Sequence, residues 1–305
     1  EACRRGGVGR PMAGEPVPLS DRVFLLPGPV NMFLLREGRA CVAVDTGLTA
    51  DAGRRVLRGV EGLGGELVAI VNSHAHADHF GGNAFLLKRT AAEVYAPAQE
   101  EAILRYPDLE PFYLFGAAPP AELTSRLLRA EASRVDRIFG GDLALAGLTV
   151  RSVPAPGHSI NQHAFQVDDV FLAADALFGE EALAKHQVVY CYDPRRHRET
   201  LDLLAGVKAR ITVPSHGPPT TECQALLEAN RRNLEGTRKA VLDALGSPGL
   251  AEEVAARVSS LLGLQPTIEA YHLNLSTIKG HLAALRAEGL AAFRMEKGRL
   301  LWERG

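Results

Sequence analysis

Four side chains able to bind a metal lie within six residues of this chain, in the segment His74-Ala75-His76-Ala77-Asp78-His79. They directly follow an apolar run, residues 67–71, that is typical of a buried strand. Because alternate side chains of a strand point to one face, His74 and His76 can point the same way. Imidazole nitrogens and carboxylate oxygens together suit zinc best, with manganese or iron as alternatives. We therefore expect a metal site where this strand ends.

Three further ligand-type residues follow apolar, strand-like runs later in the chain: His158, Asp175 and His216. Each lies where its run stops or turns. A rigid sheet scaffold can bring side chains from several strand ends to one point. A single histidine in a loop is more often a surface residue, but a series of them after strands predicts a shared site.

The chain between these residues predicts two sheets with helices outside them. Strands are expected near residues 22–36, 40–45 and 66–72, and helices near 50–62 and 80–90, with several strands after that. No Gly-x-Ser-x-Gly or P-loop motif is present in the sequence, so neither a serine hydrolase nor a P-loop nucleotide enzyme is indicated.

This series of motifs resembles the metallo-β-lactamase superfamily, over roughly residues 20–218. The carrying residues are the H-x-H-x-D-H segment at 74–79, then His158, Asp175 and His216 in order, with an early Asp45-Thr46-Gly47 turn. The resemblance implies an α+β fold, a four-layered αββα sandwich with the metals at one edge.

The same resemblance implies two divalent ions and assigns seven ligand residues to them. The ligands would be His74, His76 and His158 for one ion, Asp78, His79 and His216 for the other, and the carboxylate of Asp175 bridging both. Asp45 would orient a ligand histidine by hydrogen bonding. Two such ions about 3.5–4 Å apart can share a hydroxide nucleophile, and Asp78 would act catalytically as a proton shuttle. No substrate-binding residue is predicted.

Three departures narrow the branch of the superfamily. Asp175 stands at the position where true metallo-β-lactamases typically have a cysteine, which argues against antibiotic hydrolysis. His76 stands where flavodiiron-type relatives have a glutamate. Phe178 stands where one group of homoserine-lactone lactonases has a tyrosine, so lactonase activity is unsupported.

Composition predicts a cytoplasmic protein that binds neither membranes nor nucleic acid by overall charge. The net charge of the 305 residues is −2, and no apolar run approaches the roughly 20 residues of a membrane helix. The four cysteines are scattered without a C-x-x-C motif, which favours free thiols in a reducing compartment. Residues 1–19 are expected to be a flexible segment. Its Gly/Arg-rich start has no apolar region typical of a secretory signal.

Residues 97–140 form an insertion rich in aromatic side chains. Between Tyr106 and Phe115 there are four of them in ten residues. They are interpreted either as an apolar cap for the metal site or, with more weight, as a homodimer contact or a small satellite core. Tyr190 and Tyr192 alternate on a strand-like segment, facing the site or simply filling a sheet.

Residues 219–305 are expected to form a helical linker and a winged-helix domain. A helix from Glu222 to about Leu245 and an amphipathic one at 251–262 are followed by a third, with Ser276 as its N-cap and Gly289 as its C-cap. A hairpin at 291–302 would be the wing. Between Tyr271 and Gly305 six Lys/Arg face three Asp/Glu, a modest basic excess.

Two functions remain open from the sequence. The first is hydrolysis of a small-molecule thioester or carboxylic ester, as in the similar glyoxalase II. The second is a metal-dependent endoribonuclease in which the winged helix contacts RNA, as the similarity to the β-lactamase-like protein 2 group implies. A DNA-binding regulator that retains the fold ranks last, because all seven ligands are intact.

Overall fold

A computed structural model describes residues 15–305 of the chain. The first sheet contains seven strands in sequence order: β1 Val17–Pro18, β2 Val23–Leu26, β3 Met32–Glu37, β4 Ala40–Val44, β5 Glu66–Val71, β6 Glu93–Pro97 and β7 Arg137–Phe139. Its first four strands pair antiparallel and the rest parallel. Residues 1–14 of the segment expected to be flexible lie outside the described part, and Val17–Pro18 pairs with β2.

The second sheet has five strands in the order β12-β11-β10-β9-β8. They are β8 Leu143–Leu145, β9 Leu148–Pro154, β10 His163–Val167, β11 Val170–Phe178 and β12 Ile211–His216. All nine residues of β11 are buried, because the sheet is covered on both faces. The register of β11 against β12 shifts around Ala174, which has a positive φ of 49°. Such an irregularity redirects the next side chain, that of Asp175.

Helices cover the outer face of each sheet. Seven α-helices lie between β4 and β12 in the sequence: α1 Ala50–Gly62, α2 Ala77–Phe80, α3 Asn83–Leu87, α4 Glu100–Arg105, α5 Leu109–Phe115, α6 Glu180–Lys185 and α7 Pro194–Leu204. Helix α1 begins at its N-cap Thr49 and buries Val56 and Val60, one turn apart, against the first sheet. The expected helix at 50–62 and strand at 66–72 are confirmed.

Alternation along the strands explains the layers. Phe33, Leu35 and Val42 face the second sheet and pack against Phe165 and Leu172. Their neighbours in sequence, such as Leu34 and Ala43, face α1 instead. The outer face of the second sheet packs against α7 and against Leu226 and Leu227 of the helix that follows the sheet. A mixed fold with two facing sheets and outer helices is therefore confirmed.

Three helices and a hairpin follow the second sheet: α8 Cys223–Ala244, α9 Ala251–Leu262, α10 Ile268–Ala287, β13 Ala291–Glu296 and β14 Arg299–Arg304. The first two helices and the hairpin match the sequence prediction. The predicted N-cap at Ser276 is wrong. Helix α10 begins at Ile268, where the Thr267 hydroxyl accepts from the Ala270 N–H, and no helix breaker stands between Thr267 and Ser276. Gly289 has a positive φ of 76° just past the helix end, as expected of a terminating glycine.

Helix α10 lies tightly against the segment that leads into α7. A Cβ at Gly280 would lie 3.0 Å from the Tyr192 carbonyl oxygen and 3.1 Å from Pro194 Cδ. Three residues earlier, the Thr277 hydroxyl accepts a 3.1 Å hydrogen bond from the Cys191 N–H. No helix of residues 15–305 is both long and apolar enough to cross a membrane.

Two helical glycines test this docking. Gly236 in α8 has open space at its Cβ position, so Gly236→Ala should raise the free energy of unfolding by about 0.5–1 kcal/mol through helix propensity. Gly280→Ala should show no such increase, because the added methyl group meets the Tyr192 carbonyl. Urea unfolding of both variants measures the difference, and an equal increase in both would contradict the close contact.

Candidate metal centre

All seven predicted ligand residues come together at one edge of the two sheets. The loop after β5 carries His74 and His76, and the short helix α2 that follows carries Asp78 and His79. His158 lies in the loop after β9, Asp175 within β11, and His216 at the end of β12. Three groups of donor atoms lie within 4.8 Å of one another: His74, His76 and His158; His74, His79 and Asp175; and Asp78, His79 and His216.

The first group is made of three imidazoles. His76 Nδ1 lies 3.0 Å from His74 Nε2 and 2.9 Å from His158 Nε2. A single proton on His76 Nδ1 can satisfy only one of these two neighbours. Three nitrogen donors around one point are instead the arrangement in which imidazoles hold a zinc-like ion.

The second group includes carboxylates. His79 Nε2 lies 3.8 Å from Asp78 Oδ1, and His216 Nε2 lies 3.5 Å from Asp78 Oδ2. Asp175 lies between the two groups. Its Oδ1 is 3.4 Å from His79 Nε2, and its Oδ2 is 3.4 Å from His158 Nε2 and 3.3 Å from His216 Nε2. This geometry allows Asp175 to contribute to both groups.

Hydrogen bonds behind the site fix the orientation of the histidines. Asp45 Oδ2 accepts from His79 Nδ1 at 2.8 Å and from the Ser73 hydroxyl at 2.7 Å. Since Ser73 gives its proton to Asp45, its oxygen accepts from His74 Nδ1 at 3.0 Å. In both histidines Nε2 then carries the free lone pair that faces the centre. The orienting role expected for Asp45 is therefore consistent with this geometry.

Backbone carbonyls orient two further histidines in the same way. The Tyr190 carbonyl accepts from His158 Nδ1, and the Pro29 carbonyl accepts from His216 Nδ1, each at 3.0 Å. Asn31 supports the second contact by donating to the carbonyls of Pro214 and Gly217 on either side of His216. Outer N–H groups are thus engaged in four of the five histidines, and their inner nitrogens are left as donors to a cation.

The electrostatics divide the histidines into two classes. Burial lowers the pKa of His74 and His158 well below the ordinary value, and lowers the pKa of His76 to about 4. Burial is the largest single influence on His79 and His216 and acts in the same direction, but the nearby carboxylates together outweigh it and raise the pKa of both. Asp175 contributes most, then Asp78 and, at His79, Asp45. Burial alone would raise the pKa of Asp175, yet His216 and His79 hold it well below its usual range.

Among the seven ligand-type residues, two buried polar atoms have no hydrogen-bond partner: His79 Nε2 and Asp175 Oδ1. Leaving such atoms unpaired is costly, and here both face the same point. The residues present therefore fit a pair of divalent ions, which would complete both atoms.

A cleft of about 980 Å³ opens over the centre. Asp78, His158 and His216 lie at its base. Its walls are mainly apolar and come from the β2–β3 loop, the segments around α6 and residues 188–190, and the start of α10, with lining side chains that include Leu25, Pro27, Leu127, Phe178, Val188, Tyr190, Ala270 and Leu273. Lys185 and His186 provide positive or titratable groups in the same wall.

Two further residues shape this centre: Glu100, which the sequence did not predict, and Tyr190, for which the sequence left two interpretations open. Glu100 is buried behind the site and bonds to both histidine loops. Tyr190 packs edge-on against His76 and His158, with ring centroids 5.2 and 5.6 Å away, and Tyr192 is largely exposed. Only the alternation of the two tyrosines hinted at this role, and it did not distinguish them.

The aromatic insertion does not cap the metals with its aromatic rings. Tyr106, Phe112 and Phe115 are exposed and are not among the residues lining the cleft. Leu114, together with Leu123 and Leu128, instead forms a small core against Tyr190 and Leu273, the satellite cluster that was one of the two interpretations.

A family model described as "Metallo-beta-lactamase superfamily" matches residues 25–216, which include all seven ligand-type side chains. The chain belongs to the metallo-β-lactamase superfamily. Membership implies divalent metal binding, in agreement with the His/Asp groups of the structure.

Curated relatives of this superfamily member are distant. Lactamase-like protein nscB of Trichophyton rubrum is 26% identical over 217 residues, 70% of this chain and 57% of that protein. Atrochrysone carboxyl ACP thioesterase nsrC of Aspergillus novofumigatus is 26% identical over 241 residues, 74% and 63% of the two chains. Hydroxyacylglutathione hydrolase of Dechloromonas aromatica is 30% identical over 149 residues, 48% and 44%. The chain thus spans little more than half the length of the nscB proteins that it matches.

Two solved structures share the fold over nearly the whole chain. A metallo-β-lactamase family protein of Thermus thermophilus has a TM-score of 0.74 at 22% identity, covering 94% of this chain and 100% of that one. A β-lactamase domain protein of Burkholderia ambifaria has a TM-score of 0.72 at 18% identity, covering 98% and 96%. These coverages reach beyond residue 216, so the likeness in fold includes part of the C-terminal helices.

Replacing Asp45 tests the orientation of His79. Asp45→Asn keeps a residue type that tolerates the positive φ of 57° at this position, but it offers one acceptor oxygen where Ser73 and His79 present three donors. Metal affinity at the Asp78–His79–His216 group should fall about 10–100-fold. Chelator competition measures this, and unchanged affinity for both metals would contradict it.

If both donor groups bind a metal, acidification should remove the two metals in a fixed order. The pKa values of His79 and His216 are raised, so protons compete with metal for these two histidines at higher pH than they would for an ordinary imidazole. Affinity at that group should therefore fall as pH decreases, while the triad of His74, His76 and His158 keeps its metal until pH approaches the pKa of about 4 at His76. Metal content after dialysis between about pH 8 and pH 4 gives the order, and loss from the triad first would contradict it.

Proposed function

We propose that the chain is a metal-dependent hydrolase that cleaves a thioester or other carboxylic ester of a small molecule. Two divalent ions, with zinc as the expected metal, would be held by His74, His76 and His158 on one side and Asp78, His79 and His216 on the other, with Asp175 between them. The observation that carries the proposal is the convergence of these seven donors at the base of an apolar-walled cleft.

When bound, such a metal pair lowers the pKa of water at the centre and polarises a substrate carbonyl. The protein's own part is orientation and proton handling. Asp175 is only 4% exposed and lies between the two donor groups, whereas the Asp78 side chain is 22% exposed and lines the cleft. Asp78 is therefore the carboxylate placed to accept a proton and pass it to a leaving group.

The walls of the cleft support an acyl substrate. Leu127, Val188 and Leu273 present apolar surface beside the base of the cleft, and Lys185 offers positive charge to a leaving group. The names of two relatives, an ACP thioesterase and a hydroxyacylglutathione hydrolase, point in the same direction. The latter also supports the expected place of the chain near glyoxalase II.

The order of three helices and a two-stranded hairpin supports the winged-helix assignment of the C-terminal part. RNA as a substrate has less support. Arg294 pairs with Glu296 and Glu303, and Arg299 pairs with Glu253, so these hairpin cations are already neutralised. Helix α10 packs against α5, α7, α8, α9 and β13, which leaves less of its surface free to enter a groove.

Location and assembly stay predictions. Cys41, Cys191 and Cys223 form no disulfide among the described residues, Cys3 lies outside them, and the reducing, cytoplasmic setting stays a prediction. A homodimer through the exposed aromatics of α5 can be tested by mass measurement in solution.

Activity assays separate the two substrate classes. Zinc-loaded protein should hydrolyse acyl thioesters but not single-stranded RNA, and Asp175→Ala should reduce the rate by several orders of magnitude by removing the shared carboxylate. A Lys297→Ala/Arg299→Ala variant serves as the matched control, since its changes lie on the hairpin. It should leave thioester hydrolysis unchanged. The proposal would be overturned if the wild type cleaved RNA but no thioester, and if the Lys297→Ala/Arg299→Ala variant cleaved RNA more slowly.

A further inference from the structure

We propose that Glu100 is a positioning residue of the metal centre, whose carboxylate ties the loop of His74 and His76 to the loop of His158. The inference rests on the proposed metal-dependent function, because it concerns the ligands of one of its two ions. Glu100 itself does not reach the centre: it acts through the backbone and side chains on which the three histidines depend.

Three hydrogen bonds carry the inference. Glu100 Oε2 accepts from the Ala75 N–H at 3.0 Å, and Oε1 accepts from the Ser159 hydroxyl at 2.6 Å and from the Asn161 N–H at 2.8 Å. Ala75 stands between His74 and His76, and Ser159 directly follows His158. One carboxylate therefore holds both sides of the group in which His76 Nδ1 faces the other two imidazoles at 2.9 and 3.0 Å.

The chemistry of the side chain matches this task specifically. Three donors need at least two acceptor atoms, which a carboxylate provides and an amide or hydroxyl does not. Glu100 is 1% exposed, and among the described residues no Lys, Arg or His forms an ion pair with it. Burying a carboxylate with only neutral donors costs free energy that an apolar residue would avoid. The hydrogen-bond donors of the two loops, rather than core stability, therefore explain a carboxylate at this position.

The backbone before Glu100 is also unusual. Gln99, the residue that precedes helix α4, has a φ of 72° and a ψ of −39°, a conformation that costs a non-glycine residue free energy. Because Glu100 is the first residue of α4, this conformation sets the direction in which its side chain leaves the backbone. Strain of this kind is often found beside functional sites.

Glu100 and Asp45 restrain different sets of ligands. Asp45 bonds to His79 directly and to His74 through Ser73, whereas Glu100 bonds only to the two loops that carry the histidine triad. The expected consequence is selective: loss of the Glu100 carboxylate should weaken the triad of His74, His76 and His158 and leave the other group nearly unchanged.

The experiment compares Glu100→Gln with Glu93→Gln, a matched control on the preceding strand whose carboxylate contacts Tyr95 and Arg137 and neither ligand loop. Each protein is loaded with Co²⁺ or Zn²⁺ and titrated with a chelator, and the visible spectrum of the cobalt form is recorded. For Glu100→Gln one of two metals should bind about 10–100-fold more weakly, with a changed cobalt spectrum. Glu93→Gln should match the wild type.

A milder variant covers the case in which Glu100→Gln does not fold. Ser159→Ala removes one of the three donors and leaves the carboxylate in place, and it should weaken the same metal by roughly 3- to 10-fold. Equal affinities and spectra in wild type, Glu100→Gln and Ser159→Ala would overturn the role of Glu100. If the wild type binds both metals but hydrolyses no ester, that result would count against the proposed function and not against the role of Glu100.

Discussion

Five imidazoles and two carboxylates share one small, largely buried volume, and the rest of the structure has to make this possible. Nitrogens that face each other at 2.9 and 3.0 Å cannot all hold protons, and the carboxylate of Asp175 meets three of these rings at 3.3–3.4 Å. Without a cation, His79 Nε2 and Asp175 Oδ1 remain unpaired. The fold therefore holds several lone pairs facing one point. Their mutual repulsion is unfavourable unless a positive charge lies between them.

Two sheets packed face to face supply the rigidity that such an arrangement requires. The ligand-bearing segments all leave the sheets at the same edge, and each is restrained a second time behind the centre. Asp45 restrains the first loop, the Tyr190 carbonyl restrains His158, and Asn31 with the Pro29 carbonyl restrains the end of β12. The irregularity near Ala174 turns Asp175 out of the sheet interior toward the same point. These restraints explain how donors from four segments of the chain stay within 4.8 Å of one another in each of the three groups.

The sequence indicated the ligand residues because their signals are local: each donor lies beside an apolar run that forms a strand, and His74 to His79 are nearly contiguous. Helix α1 and the C-terminal hairpin were predictable for the same reason, from a cap, a periodic face or a turn. Glu100 was not, because its partners lie 25, 59 and 61 residues away and nothing in its own neighbourhood reports them. The start of α10 was misplaced because Ser276 is a good cap in isolation, while packing against α9 extends the helix back to Ile268.

The docking of α10 has a consequence for how this chain can be divided. Thr277 accepts from the N–H of Cys191, the residue directly after the one whose carbonyl orients His158, and Leu273 of the same helix lines the cleft. The C-terminal helices thus form part of the cleft wall and also brace the segment whose carbonyl orients His158. A chain cut after the second sheet would lose both, so the two facing sheets and the C-terminal helices are expected to work as one unit.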